Sequence, residues 1–161
     1  MARTIDLAIL TDTRDTVATW FFDDYLPRWV AAGSEGHAPT FITEYWGAPL
    51  WVSIDDNVAL LSSIDQVVSF LREMHERLRA SGYTHTVVPD RRIVAFTPNS
   101  ADVSVIWSRR RADSSEIERL AVVFAVMNTA DGWRVVAIRA VNTTGDQLDD
   151  LWPVHDIGAL R

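Results

Sequence analysis

Cysteine is absent from this chain, which removes disulfides, thiolate nucleophiles and sulfur-ligated metals from the possible chemistries and suits a reducing compartment, the cytoplasm. Lysine is absent too: all 15 basic residues are arginine, so Schiff-base and lysine-base mechanisms are excluded. No apolar run approaches the length of a membrane span, and Met1 to Thr11, with one Arg, Asp6 and a four-residue apolar run, lacks the apolar centre of a signal peptide. Positive charge is scarce. With 22 acidic residues against 15 basic ones the formal charge is -7, a field that repels phosphate backbones and anionic lipid surfaces, so neither nucleic acid nor membrane is expected as a partner. A G-x-S-x-G elbow, a phosphate-binding glycine loop and a dinucleotide fingerprint are all missing, and no cofactor is expected.

What remains is an apolar, aromatic chain. Of 161 residues 48% are apolar and seven are Trp, enough for one sizeable core and too few for two ordinary domains. No repeat, linker or low-complexity segment divides the sequence. One domain is expected over 1–161, with a core at about 10–142 and a tail, 143–161, whose Leu148, Leu151, Trp152, Val154, Ile157 and Leu160 dock on this domain or on a partner subunit.

Val17, Phe21, Tyr25 and Trp29 recur every four residues after a cap at Asp12 or Thr13, predicting a helix that Pro27 breaks near Leu26, with a short second helix ending at Gly33. Phe41 to Trp46 is rich in β-formers; Leu50 to Ile54 and Val58 to Leu61 read as short strands around the turn Asp55-Asp56-Asn57. Ser63 and Gln66 form a capping box for a helix carrying Ile64, Val67, Val68, Leu71, Met74 and Leu78 on one face and stopping at Gly82. From Tyr83 to Asn142 the sequence predicts four long strands, antiparallel because the turns are short. Their faces are apolar on both sides, which calls for helices on one side and a second subunit on the other, hence a homodimer.

This order, with Tyr45-Trp46-Gly47-Ala48-Pro49, the Asp55-Asp56-Asn57 turn, the helix opened by Ser63, Ala101-Asp102-Val103 and Asp131-Gly132-Trp133-Arg134-Val135, resembles the nuclear transport factor 2-like superfamily, particularly its SnoaL-like branch, over roughly 10–142. The resemblance implies an α+β fold, a cone-shaped curved antiparallel sheet wrapped around the N-terminal and central helices in a cystatin-like roll, with an open end that takes small, largely apolar molecules. Members include isomerases, dehydratases, cyclases, binders and dimerisation modules, so the fold leaves function open.

By position, Tyr25, Trp29, Trp46, His85 and Trp107 are candidates to line the cone, and Arg139 joins them if its face of the last strand looks inward, where it would bind a carboxylate. The plainer reading makes the aromatics core packing, His85 a structural residue and Arg139 a surface one. Acid-base chemistry of a cofactor-free lyase or isomerase would draw on Tyr25, His85 and Asp24. Asp24 has Asp23 beside it, a pattern of solvated helix flanks, and the last strand carries Arg134, Arg139 and Asn142 where related cyclases have an acid. No metal is expected: His75-Glu76-Arg77-Leu78-Arg79 opens like a zinc helix but has Arg at the second ligand, and His37, His75, His85 and His155 lack ligand spacing. Arg109-Arg110-Arg111 reads as a solvated hairpin end paired with Glu116 and Glu118 rather than an anion site.

Overall fold

The structure, a computed structural model, describes residues 4, 6–36 and 41–152. It opens on a helical rod: α1 (Leu7–Ala18), a π-helical segment (Thr19–Tyr25) and α2 (Leu26–Glu35) follow one another without interruption. The cap is Asp6, whose Oδ1 accepts from the Ala8 N–H at 2.9 Å, earlier than the sequence suggests. Leu7 and Ile9 in that first turn are exposed, so it carries no apolar period by which it could be detected. The rod ends at Gly36, φ +77°, a left-handed position that suits glycine, and Gly33 lies buried within it.

Pro27 does not break the rod. Its ring would collide with the carbonyl four residues back in a regular α-helix, and it has no N–H to give. The chain widens just before it instead, Leu26 N–H donating to the Phe21 carbonyl. The widening also explains a sequence pattern: a spacing of four drifts around a helix of about 3.6 residues per turn, and the wider π turn returns Phe21 and Tyr25 to the face of Val17 and Trp29. All four are buried.

A helical turn, α3 (Ile42–Tyr45), occupies the segment expected to be extended. Phe41, Ile42 and Tyr45 are buried there, a spacing of one and four that a single helical turn puts on one side. Strand β1 (Trp46–Ile54) begins directly after it and turns through Asp55, φ +51°, into β2 (Asn57–Leu61). The capping box is present: Ser63 Oγ accepts from Gln66 N–H and the Gln66 side chain accepts from Ser63 N–H, opening α4 (Ile64–Ala80). Val67, Leu71, His75 and Leu78 form its buried stripe.

The remaining strands are β3 (Tyr83–Val87), β4 (Arg91–Thr97), β5 (Ser100–Arg111), β6 (Glu116–Thr129) and β7 (Gly132–Asn142). Seven strands form one curved, unclosed sheet in the order β2-β1-β7-β6-β5-β3, with β4 also on β5. The extra strand arises at Val88-Pro89-Asp90, where proline cannot donate to the ladder. On either side of it β3 pairs with Ser108 to Arg111 and β4 with Ser100 to Val105. Five pairings are antiparallel and one, β1 with β7, is parallel. The sheet is therefore mixed rather than wholly antiparallel, because β1 and β7 are joined through the rest of the fold and not by a short turn.

The helices pack on the inner face around Phe21, Tyr45, Leu50, Leu71 and Val105. On the outer face Leu148 is buried against Ile106 and Ala121, with Val141, Leu151 and Trp152 beside it; burying a leucine side chain contributes about 1.5–3 kcal/mol. The short helix α5 (Leu148–Leu151) is held there by Asp90, whose Oδ2 accepts from Leu148 N–H at 2.8 Å, and by ion pairs of Arg92 with Asp149 and Arg119 with Asp146. Val154, His155, Ile157 and Leu160, like His37, lie outside the described residues.

Candidate functional site

Between the rod, α4 and the inner face of the sheet lies a cavity of about 250 Å³, just below the range of about 300–1,000 Å³ usual for small-molecule sites. Strand alternation builds it. Trp107 and Arg109 from β5, Glu118, Leu120, Val122 and Phe124 from β6, and Ile138, Ala140 and Asn142 from β7 all face it at spacings of two. Tyr25 and Trp29 from the rod, Trp46 and Ile54 from β1, and Leu71, Met74 and Arg77 from α4 complete the wall. Register gives it polarity: Arg109 stands opposite Glu118 and Leu120 opposite Asn142. The polar side chains therefore gather at one end while Trp46 and Phe124 wall the other.

At the polar end Arg109, only 4% exposed, donates from Nη1 to Glu118 Oε1 at 2.6 Å and from Nη2 to the Met74 sulfur at 3.7 Å. Its guanidinium carbon lies 6.0 Å from the Trp29 ring centre. Arg77 donates to Glu118 Oε2 at 3.2 Å. Burial disfavours the Glu118 carboxylate, but Arg109 and then Arg77 outweigh it and hold the carboxyl below its ordinary range. Asn142 is fixed by Asp55, which accepts from its backbone N–H at 3.0 Å and from Nδ2 at 2.7 Å.

Tyr25 is a neutral phenol. Burial pushes its hydroxyl far above the ordinary value, with Trp46 and Arg109 opposing only in part. The Trp46 N–H lies near enough to favour the ionised form of Tyr25 yet has no acceptor in hydrogen-bond geometry. His75 packs on Trp29, ring centres 3.9 Å apart, and stacks on Phe41; its Nε2 has no partner, and burial, followed by the charges of Arg109 and Arg79, lowers its pKa to about 4.

Of the residues singled out in the sequence, the cavity brings together Tyr25, Trp29, Trp46 and Trp107. His85 is elsewhere: it pairs with Arg110 while its neighbour Thr86 pairs with Arg109, so the imidazole stands on the other face of the sheet, bonded through Nδ1 to Thr84. Arg139 also points away from the cavity and pairs with Asp102 at 3.2 Å. The alternation that linked it to Trp133 is interrupted, because the β6–β7 register shifts between Ala125 and Val126. Asp24 lines a shallow outer groove with Trp20 and Trp133.

Sequence reasoning missed Arg77, Arg109, Glu118 and Asn142 as cavity residues. Arg109 is no solvated hairpin end, although its pairing with Glu118 is as read. The available signal was the run Val103, Val105, Trp107, Arg109, which continues one face of β5 inward. Among the described residues no group of three or more His, Asp or Glu is placed to hold a metal, and no described helix is long and apolar enough to cross a membrane.

A helical rod laid into a curved sheet, with an aromatic cavity between them, is the architecture of nuclear transport factor 2-like proteins. The chain belongs to the NTF2-like protein family DUF6841, whose model matches residues 14–143. It is similar in structure to an NTF2-like protein with a cystatin-like fold from Novosphingobium aromaticivorans, at TM-score 0.63 and 14% identity, covering 95% of this chain and 100% of that one. A domain of unknown function from Nostoc punctiforme gives TM-score 0.58 at 11% identity, covering 92% and 84%. A candidate ketosteroid isomerase from Shewanella frigidimarina gives 0.54 at 13% identity, covering 82% and 96%. At these identities the likeness shows the fold alone. No curated protein matches the chain by sequence.

Proposed function

We propose that this chain is a one-domain, cytoplasmic small-molecule-binding protein of SnoaL-like type that works as a homodimer without a cofactor and takes an apolar or weakly acidic ligand in its cone pocket. The observation that carries this reading is the cavity itself: Tyr25, Trp29, Trp46, Trp107 and Phe124 surround empty space instead of filling it. Large ring surfaces facing a void forgo dispersion contacts that a guest of matching shape would restore. A thermal-shift screen of small aromatic acids, ketones and alcohols tests it, with a rise in Tm for at least one class expected. The absence of any rise rejects it, and so does a rise that is undiminished in a cavity-filling Ala140→Leu variant.

A second reading, a cofactor-free lyase or isomerase, is favoured by one observation: the Tyr25 hydroxyl and the Glu118 carboxylate face the same cavity, a donor for a developing oxyanion and an acceptor for a proton. His85 and Asp24 have no part in it, since neither lines the cavity. Turnover lost in both Tyr25→Phe and Glu118→Gln would support this reading over plain binding.

A further inference from the structure

The cavity holds more hydrogen-bond donors than acceptors. Tyr25 enters as a neutral phenol, the Trp46 N–H lacks an acceptor, and Arg109 Nη2 meets only the thioether of Met74, a weak partner. Leaving a buried donor unpaired costs about 1–3 kcal/mol. Glu118 is the one carboxylate among the lining residues, and both its oxygens already accept, Oε1 from Arg109 and Oε2 from Arg77.

Charge points the same way. Two guanidiniums flank the one carboxylate of the lining, a surplus of one positive charge carried by Arg77 where the polar end of the cavity meets solvent. An anion entering at this end meets that second guanidinium together with the Arg109 Nη2 that only the Met74 thioether engages, and both can donate charge-assisted hydrogen bonds to it. Arg139, the arginine that the sequence offers for this task, is already paired with Asp102 on the outer side.

Resting on the pocket reading above, we infer that the ligand is a flat apolar monocarboxylic acid, its carboxylate held by Arg109 and Arg77 and its ring body among Trp29, Trp107 and Phe124. One negative charge matches the surplus. The volume equals that of about eight waters, which suits a single or fused ring bearing one carboxylate. Glu118 positions Arg109 and does not touch the ligand's charge directly.

The test is calorimetric titration of the full chain with benzoate, cinnamate and naphthoate, each beside its primary amide, and with inorganic phosphate, at neutral pH. At least one acid is expected to bind about tenfold more tightly than its amide. Arg109→Gln abolishes that preference, Arg77→Gln reduces it, and Glu118→Gln, which keeps an acceptor for Arg109 while raising the local surplus, increases it. Arg77 is an exposed side chain, so R77Q remains informative if R109Q fails to fold. Equal affinity of acid and amide overturns the carboxylate inference and leaves the pocket reading standing. Phosphate binding as tight as that of the acids overturns the inference as well, and binding of neither acids nor amides overturns the pocket reading itself.

Discussion

Arg109 and Glu118 face each other across β5 and β6, and their 2.6 Å hydrogen bond is the inner end of a chain that continues through Glu118 to Arg77 at the surface. The pair is asymmetric in exposure. Arg109 is buried whereas Arg77 is largely exposed, so removing Glu118 strands a cation that water cannot reach. Glu118→Leu is expected to destabilise the fold by about 3–5 kcal/mol, the usual result of breaking a buried pair from one side. The double variant Arg109→Met, Glu118→Leu should recover most of that loss, because it removes both charges. Urea denaturation of the wild type, E118L, R109M and the double variant measures the coupling; a double variant no better than E118L would show that the pair acts independently of its charges.

His75 should make stability depend on pH in a window of its own. Its folded pKa is lowered from 6.5 to about 4, so below 6.5 the unfolded chain takes up a proton that the folded chain refuses. Its contribution is therefore complete above pH 6.5 and is lost as pH falls from 6.5 to about 4, for a total on the order of 3 kcal/mol. Glu118 loses its contribution only lower down, as pH falls from the ordinary glutamate value of 4.5 through its depressed pKa. Urea midpoints taken across the higher window should fall in the wild type and stay nearly flat in His75→Phe. Parallel curves for the two proteins would assign the loss to other groups.

How much of this could be read in advance varied with the physics involved. The α4 stripe and its capping box were legible because helix period and cap chemistry are both local. Of the cavity aromatics, Tyr25, Trp29, Trp46 and Trp107 were candidates by their place in the cone that the resemblance implies, and Phe124 was not. The polar half of the cavity was not legible, because strand phase depends on register. The shift opposite Val126 moves Ile138, Ala140 and Asn142 inward and turns Arg139 outward, and a bulge of that kind leaves no mark in composition. Arg109 was hidden for another reason. An arginine triplet has the chemistry of a solvated turn, and only the fold of α4 over the end of β5 reveals that its first member is enclosed.

Gly33 is a place where two opposed effects can be weighed. Alanine in a helix interior is favoured over glycine by about 1 kcal/mol, yet a Cβ at Gly33 would lie 2.9 Å from Cε1 of Tyr83. That ring cannot retreat freely: it is buried, and its hydroxyl shares a 2.7 Å hydrogen bond with Thr86. Overpacking of this kind costs about 1–3 kcal/mol, so Gly33→Ala should be net destabilising by about 1 kcal/mol. Adding Tyr83→Phe, which releases the ring from Thr86, should soften the effect of the alanine. A Tm for G33A above that of the wild type would mean that helix propensity dominates.

The outer face of the sheet carries the prediction about assembly. Leu60, Trp51, Ala137, Ala125, Asp102 and Val94 are successive cross-strand partners from β2 to β4, and so form one row on one side. Trp51 is 55% exposed in that row, with Leu60 and Val94 also open to solvent. Each half-exposed large side chain leaves apolar area that a second copy of the same row would cover, at about 25 cal/mol per Å². A two-fold arrangement needs only that the patch be complementary to itself, and the one charge in this row, Asp102, is already paired with Arg139. Trp51→Glu should therefore shift the molecular mass measured by light scattering on size exclusion from dimer to monomer. Far-UV circular dichroism should stay unchanged, because an exposed side chain supports no part of the core. A wild type that elutes as a monomer across the accessible concentration range would reject the homodimer.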